Sequence, residues 1–260
     1  AWARLFRSRC IDVISHAYEI YCASVPHVGW IPDFQHCYYP DFFSREELAS
    51  RDRRYADMAR RAKAVILSSE AAFLDYRRYY DGANGRVVRF AVDVDPASAS
   101  DAAAKRVREK FALEGDYLMT ANQFWRHKDH LTLMRAMRLL AERGKRPILL
   151  CTGDPKESPS REYAEEVRRF PCEYGLENVR LAGLVNRADL HALMRNCRLL
   201  INPSLFEGWN TAVEEAKILG SRLILSDIPV HREQDPGDAL FFTPENPESL
   251  AAANDSGFSG

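Results

Sequence analysis

The sequence predicts an α/β protein with parallel sheets, because short apolar strands alternate with amphipathic helices along most of the chain. The alternation is most regular after residue 100, where apolar runs such as 147–151 are typical of strands buried on both faces. Helical stretches such as 130–143 place their apolar residues on one face and end before a glycine, Gly144. We therefore expect doubly wound sheets with helices on both sides.

The first ninety residues contain a shorter version of the same alternation. A helix is predicted over 44–62, since Ser44 and Glu47 have the spacing of a capping box, in which each side chain binds the other's free backbone N–H. The other elements predicted here are strands at 11–14, 28–31, 64–67 and 86–90 and a helix at 70–80. With about four strands, this part is expected to be the back half of a domain.

A linker is predicted at 93–99, which is small, polar and contains Pro96. We therefore divide the chain into domains 1–95 and 96–260. A last helix begins near residue 250 and is expected to break at 254. The remaining elements predicted in the second part are strands at 116–120, 178–182, 199–202, 222–226 and 239–242 and helices at 161–174, 189–196 and 211–219.

Composition excludes several classes of protein. The chain of 260 residues has 36 Lys+Arg against 37 Asp+Glu, a balance that argues against binding nucleic acid. Hydrophobic residues make up 46%, which excludes a disordered chain. Every apolar run is shorter than the ~18 residues that a membrane-spanning helix needs. Six scattered cysteines without a Cys-x-x-Cys pair predict a reduced, cytoplasmic protein rather than a zinc or disulfide framework.

The predicted helix 44–62 is locally basic. Two interpretations are open: contact with an anionic surface at the inner membrane face, or a solvated face in which Asp52 and Asp57 balance the arginines. The second is favoured. The basic residues are Arg51, Arg53, Arg54, Arg60, Arg61 and Lys63.

The most informative segment follows the predicted strand 199–202. Ligands of open parallel sheets bind beyond the carboxyl ends of the strands, and here a loop with Glu207 and Gly208 leads into a helix near Thr211. The free N–H groups at a helix start hold phosphate, and a carboxylate one turn further, Glu215, can accept two hydrogen bonds from a ribose diol. This combination describes a nucleotide-diphosphate site. The alternative is that both glutamates are solvated first-turn acids.

A second pair at this helix start has a structural interpretation. Thr211 and Glu214 have the spacing of a capping box, so Glu214 is expected to cap the helix rather than to bind ligand.

The motif Glu207-x7-Glu215, preceded by Pro203-Ser204, resembles the Glu-x7-Glu motif of retaining GT-B glycosyltransferases of group 1, family 4. The resemblance covers roughly residues 26–250. Other segments that resemble this family, in the same order along the chain, are 149–154, 178–185 and 226–229.

The resemblance implies a GT-B fold, with two Rossmann-like doubly wound parallel-sheet domains facing a cleft and the N-terminal one incomplete. It implies glycan biosynthesis by transfer of a sugar, with retention, from a nucleotide-diphosphate sugar to a hydroxyl of a glycan or lipid-linked acceptor. No metal and no cofactor is expected. Residues 1–95 would be the acceptor side, and 96–260 would bind the donor.

Basic residues after the first strand of the donor domain are implied to neutralise the diphosphate. The family usually has an Arg there and a Lys five positions later. Lys128 matches the Lys, whereas Gln123 occupies the Arg position and brings no charge. Arg126 and His127 lie nearby, and the spacing does not decide which of them takes the place of that Arg. Val185 falls in the family's turn near the donor base.

The remaining roles follow from the same resemblance. Glu207 is expected to orient the sugar with the backbone at Gly208 and Trp209, and the helix start at Asn210 and Thr211 is expected to hold the diphosphate. In a branch of the family, a His in the loop after an N-terminal strand lies beside the transferred sugar. His36 matches it and is assigned to catalysis with Lys128 and Glu207.

Two other functions remain open: a GT-B sugar-nucleotide epimerase, and a truncated module that binds a nucleotide sugar without turnover. The sequence lacks an initiator methionine and the glycine-rich loop of the family's first βα units. We therefore expect the chain to be a fragment of a longer protein.

Overall fold

The fold was analysed in a computed structural model, which describes residues 2–95, 97 and 100–258. The described residues form two compact units. The first unit comprises the residues up to Phe90 together with Glu207–Trp209, and the second comprises Ala91–Phe206 and the residues from Asn210 onward. The predicted linker 93–99 includes Pro96, Ser98 and Ala99, and the predicted tail includes Ser259 and Gly260, all of which lie outside the described residues.

The first unit has a parallel sheet of four described strands in the order β1-β2-β3-β4. The strands are β1 (Ile14–Ala17), β2 (His27–Ile31), β3 (Ala64–Leu67) and β4 (Gly85–Val87). The helices are α1 (Trp2–Ser8), α2 (Gln35–Tyr38), α3 (Arg45–Arg61) and α4 (Glu70–Tyr80).

The second unit has a parallel sheet whose six described strands run in the order β10-β9-β8-β5-β6-β7. The strands are β5 (Tyr117–Ala121), β6 (Ile148–Thr152), β7 (Val179–Gly183), β8 (Leu199–Asn202), β9 (Leu223–Ser226) and β10 (Leu240–Phe242). The helices are α5 (Asp101–Lys110), α6 (His130–Glu142), α7 (Arg161–Glu173), α8 (Arg187–Asn196), α9 (Thr211–Leu219), α10 (Pro229–Gln234) and α11 (Pro247–Phe258).

The strand order of the second sheet reverses between β5 and β8. From β5 the chain adds β6 and β7 on one side and then returns to add β8, β9 and β10 on the other. The loops after β5 and β8 therefore leave the same edge of the sheet side by side. Ligands of doubly wound sheets bind at such a reversal.

Apolar residues of the second sheet alternate between two hydrophobic clusters, one on each face. Leu199 and Ile201 of β8 belong to one cluster, and Leu200 of the same strand belongs to the other. Every residue of β8 and β9 is buried. The prediction of strands covered on both faces is confirmed for this sheet.

Several predicted boundaries can be compared with the structure. The capping box of α3 is confirmed, because Ser44 Oγ accepts from the N–H of Glu47 at 3.2 Å and Glu47 Oε2 accepts from the N–H of Ser44 at 2.8 Å. The break predicted at 254 is wrong. Helix α11 continues to Phe258, since Leu250 and Asn254 lie one turn apart on its buried face.

No helix in the part of the chain that the structure describes is long and apolar enough to cross a membrane.

Candidate functional site

The loops that follow β5 and β8 are joined directly in the second unit. The N–H of Leu205, after β8, donates to the carbonyl oxygen of His127, after β5, at 2.8 Å. Through this bond the structure brings the turn that carries Arg126 and Lys128 next to the segment that leads into α9. The loop after β5 and the loop after β8, which both carry predicted donor-binding residues, therefore meet at the reversal of the strand order.

The β5 loop gives Gln123 a structural contact. Its Oε1 accepts a hydrogen bond from the N–H of Asp154 at 3.0 Å, which ties the loop after β5 to the loop after β6. Gly153 supports the same contact, since a Cβ at this position would lie 2.4 Å from the carbonyl oxygen of Asn122. The carbonyl end of Gln123 is therefore engaged, and its NH₂ group is the end that can serve a ligand.

Arg126 and Lys128 occupy a single 3₁₀ turn directly before α6. The N–H of Lys128 donates to the carbonyl oxygen of Trp125 at 2.9 Å, Arg126 is exposed, and Lys128 is half-buried. The turn ends at Asp129, whose Oδ1 accepts from the N–H of Thr132 and so caps α6. Burial raises the pKa of Asp129 to about 6.

The start of α9 is capped by Asn210, and the predicted capping box of Thr211 and Glu214 is wrong. Asn210 Oδ1 accepts from the N–H groups of Ala212 at 3.1 Å and Val213 at 3.4 Å. These bonds already satisfy two of the N–H groups that a helix start offers. The N–H of Thr211 and the helix dipole are what remains for an anion.

Glu214 is instead held by two side chains. Lys217 Nζ donates to its Oε1 at 2.9 Å, and Gln234 Nε2 donates to the same oxygen at 2.8 Å. Glu214 therefore has the predicted structural role, but its partners are Lys217 and Gln234 rather than the backbone at Thr211.

A buried hydrogen-bond network holds the side chain of Asn210, the cap of α9, in place. Asn210 Nδ2 lies 3.2 Å from His231 Nε2, and His231 Nδ1 lies 3.0 Å from the carbonyl oxygen of Ser226. Since Oδ1 of Asn210 accepts from the helix, its NH₂ group must donate to His231 Nε2. His231 is then neutral, with its hydrogen on Nδ1, and donates to Ser226.

Gln234 completes this network, because its amide bonds to both the N–H and the carbonyl oxygen of Asn210. Asn210 was predicted only as part of the helix start that holds the diphosphate, and His231 and Gln234 were missed. An Asn before a helix is a cap signal that the sequence does offer. No local pattern indicates two partners more than 20 residues downstream.

Glu215 points from α9 toward α8. Its Oε1 lies 3.4 Å from His191 Nε2 and 3.9 Å from Arg187 Nη2, and its side chain is 16% exposed. Val185 lies in the connection between β7 and α8, where it packs partly against the core. Glu215 therefore lies beside α8, the helix that follows the connection carrying Val185.

The remaining predicted residues of the β8–α9 loop are Glu207, Gly208 and Trp209. All three are half-buried, and they are grouped with the first unit.

His36 lies in the first unit, on α2, with only 2% of its side chain exposed. Its Nε2 is 2.9 Å from the hydroxyl of Tyr80, which itself donates to Asp52 Oδ1 at 2.6 Å. Because the tyrosine proton is used on Asp52, His36 Nε2–H must donate to Tyr80. Burial first, and then the charge of Arg51, lower the pKa of His36. This side chain is therefore neutral and held within its own unit.

Among the described residues, no group of three or more His, Cys, Asp or Glu side chains is placed to hold a metal ion. The polar groups of the second unit instead offer a cation at Lys128, a helix start at Thr211 and a carboxylate at Glu215. Such a set can hold a phosphate and a diol.

Sequence comparison gives a family and relatives. The profile of the family described as "Glycosyl transferases group 1" matches residues 115–256, more than half of the chain. The serotype-specific mannosyltransferase WbdA of Escherichia coli is 28% identical over a match of 198 residues, and the match covers 73% of this chain and 24% of WbdA. The chain thus spans about a quarter of the length of the curated relative it matches.

Structural comparison finds similar folds at low sequence identity. HepE of Anabaena, solved in complex with UDP and glucose, superposes with a TM-score of 0.78 at 18% identity, covering 98% of this chain and 70% of HepE. Sucrose-phosphate synthase of Thermosynechococcus elongatus has a TM-score of 0.79 at 17% identity, covering 100% of this chain and 67% of the synthase.

Proposed function

The chain belongs to the group 1 glycosyl transferases and has the GT-B fold, and from this premise we propose a specific reaction. The protein is a retaining hexosyltransferase of family 4 that acts without a metal or cofactor. It moves a sugar from a nucleotide-diphosphate sugar to a hydroxyl of a glycan or lipid-linked acceptor.

One observation carries the proposal: the loops after β5 and β8 meet at the reversal of the strand order, joined by the bond from Leu205 to His127. This places the turn of Lys128 beside the segment that leads to α9. The relatives support a nucleotide-sugar donor, since HepE has been solved in complex with UDP-glucose and WbdA is a mannosyltransferase.

The proposed roles follow the charges of the reaction. As the bond from the sugar to the diphosphate breaks, negative charge grows on the departing phosphate. Lys128, with Arg126 or the amide of Gln123, stabilises this charge together with the start of α9, where Asn210 caps the helix and the N–H of Thr211 faces the anion. Val185 lies near the base.

The other proposed contacts are to the sugars. Glu215 accepts hydrogen bonds from the ribose diol. Glu207 and the backbone of Gly208 and Trp209 orient the transferred sugar. His36 serves the acceptor side from the first unit.

A donor screen tests the proposal. We expect one of UDP-, GDP- and ADP-sugars to raise the free energy of unfolding by about 2.7 kcal/mol at 100 times its dissociation constant. The same donor should then support transfer to an acceptor, with the anomeric configuration followed by NMR and with chelator present. Absence of stabilisation by all three classes contradicts the proposal. Inversion contradicts retention, and loss of transfer in chelator contradicts independence of metal.

A second candidate is a module that binds the nucleotide sugar without turnover. The bond from Asp154 to Gln123 favours it, because the residue in the position of the family's Arg is uncharged and already holds a loop. Stabilisation by a donor without transfer to any acceptor would select this candidate.

A cytoplasmic location is part of the proposal, supported by six cysteines that are all free thiols in the described residues. Peripheral contact at the inner membrane face has weaker support. On α3, Arg61 lies 2.9 Å from Asp57, and Arg51 lies 3.4 Å from Asp33 of the same unit. Such pairs favour a solvated face over a surface that binds anionic lipid.

A further inference from the structure

A buried histidine beside Glu215 has no explanation in the roles described so far. His191 lies in the middle of α8, and its side chain is 0% exposed. Within the part of the chain that the structure describes, neither ring nitrogen has a hydrogen-bond partner. Buried polar groups are almost always paired, because an unpaired one loses its bonds to water without replacement. An imidazole in this state therefore indicates a bond that forms under another condition.

The acceptor within reach is the carboxylate of Glu215. His191 Nε2 lies 3.4 Å from Glu215 Oε1, at the limit of a hydrogen bond and without its geometry. Arg187 Nη2 approaches the same oxygen at 3.9 Å, but its side chain is 62% exposed, so solvent screens its charge. Of these two basic groups, the buried imidazole is the one able to fix the carboxylate.

We propose that His191 is a positioning residue for Glu215. With hydrogen on Nε2, the imidazole donates to Oε1 when the carboxylate binds the ribose diol of a nucleoside diphosphate. The terminal torsion of a glutamate has broad, roughly two-fold preferences, so such a bond selects one orientation in advance of binding. The remaining lone pairs of the carboxylate then face the two hydroxyl groups of the ribose. This inference rests on the proposed function, in which Glu215 holds that diol.

Arg187 has a different part in the same arrangement. Its guanidinium also donates to the backbone carbonyl oxygen of Asp93, which fixes it outside the buried pair. Positioning of the carboxylate therefore involves His191 and Glu215 alone, and Arg187 should contribute less to diol recognition than His191 does.

The test compares ligands that differ only in the diol. Calorimetry measures the affinity of UDP, GDP and ADP and of the 2′,3′-dideoxy form of each. For the base that binds, the wild type should prefer the ribose form, and Glu215→Ala should lose this preference. His191→Leu, which removes the donor, should weaken the ribose form about tenfold, as expected for a hydrogen bond to a charged group. It should leave the affinity of the dideoxy form within about twofold.

Two further variants separate positioning from packing. His191→Gln carries an amide near the place of Nε2 and should restore most of the preference for ribose. Met194→Leu repacks another fully buried position of α8 and should change neither affinity. If His191→Leu does not fold, His191→Met provides the same comparison with an unbranched side chain that lacks a donor.

The outcomes that overturn the inference differ from those that overturn the proposed function. A normal ribose preference in His191→Leu, with loss of preference in Glu215→Ala, overturns only the role of His191. An equal loss of affinity for ribose and dideoxy forms shows that His191 has a packing role alone, which also overturns it. A wild type that binds no nucleoside diphosphate, or binds both forms equally, overturns the donor site itself.

Discussion

At the scale of single residues, Lys128 tests the phosphate role most directly. Replacing it with alanine removes the positive charge of the turn that precedes α6, next to the segment leading into α9. Loss of one group that stabilises developing charge typically costs about 100- to 1,000-fold in turnover, so Lys128→Ala should nearly abolish transfer. Lys105→Ala is the matched control, since this lysine is 79% exposed on α5. Turnover near that of the wild type in Lys128→Ala would refute the assignment.

Substitutions of Asn210 test whether the cap of α9 and the hydrogen bond to His231 both contribute to the free energy of unfolding. Asn210→Ala removes the acceptor for the first N–H groups of α9 and the donor to His231, and should lower the free energy of unfolding by more than the roughly 1 kcal/mol of a simple cap. Asn210→Ser keeps a cap oxygen but cannot reach His231 in the same way, so its loss should be intermediate. Urea unfolding measures both values. Equal losses in the two variants would show that the bond to His231 adds nothing.

Asp129 gives the stability of the protein a dependence on pH. Its pKa is raised by burial to about 6, above the ~3.9 of an unfolded chain, so the native state holds the proton more tightly. This contribution is therefore fully present below about pH 4 and is lost as the pH rises through about 6. Asp129→Asn keeps a capping oxygen and suits the left-handed backbone at φ 46°.

The expected result is a smaller loss of stability in Asp129→Asn between pH 4.5 and 7, by about 2 kcal/mol in urea unfolding. The neighbouring His130 acts in the opposite direction, because burial lowers its pKa to about 3. Its contribution is common to both proteins and cancels in the comparison. Identical dependence on pH in the two proteins would contradict the role of Asp129.

At the scale of elements, Gly153 decides how the loop after β6 lies against the loop after β5. Its φ is +126°, and a Cβ would lie 2.4 Å from the backbone oxygen of Asn122. Gly153→Ala should therefore cost about 2–3 kcal/mol in urea unfolding, in the range of backbone strain and steric conflict. Gly144→Ala provides the comparison, since its φ is +77° but open space surrounds it, and only about 1 kcal/mol is expected. Equal costs would show that the contact with Asn122 is unimportant.

The elements themselves were predicted best where burial is greatest. Strands β8 and β9 are apolar except for their last residues and are buried on both faces, so their sequence predicts a strand without ambiguity. The edge strand β1 was predicted at 11–14 but lies at Ile14–Ala17. Val13 is 51% exposed, so its apolar side chain gave a misleading signal. The position of an edge strand is set by its pairing with the neighbouring strand. The hydrophobicity of the strand's own residues does not indicate that pairing.

At the scale of the whole molecule, some residues of the candidate site could be predicted from the sequence and others could not. Lys128 could be named from the sequence through its match to the family's Lys, and Glu215 through its place one turn into the helix that follows a strand. His191 and the partners of Asn210 could not, since they reach the site through the packing of separate helices. The engagement of Gln123 by Asp154 is equally non-local. Spacing along the chain therefore predicts which groups can touch a ligand, whereas tertiary packing decides what holds those groups in place.

The assignment of donor binding to the second unit makes a prediction for the molecule as a whole. Each unit has its own parallel sheet, and Glu215, Lys128 and the start of α9 all belong to the second. Amide exchange reports local stability, so a nucleoside diphosphate should slow exchange in 121–128, 185–191 and 210–216. It should leave β1–β4 unchanged. Mass spectrometry with and without the nucleotide that stabilises the fold measures this. Protection confined to the first unit would place donor binding there instead and contradict the proposed roles of Lys128 and Glu215.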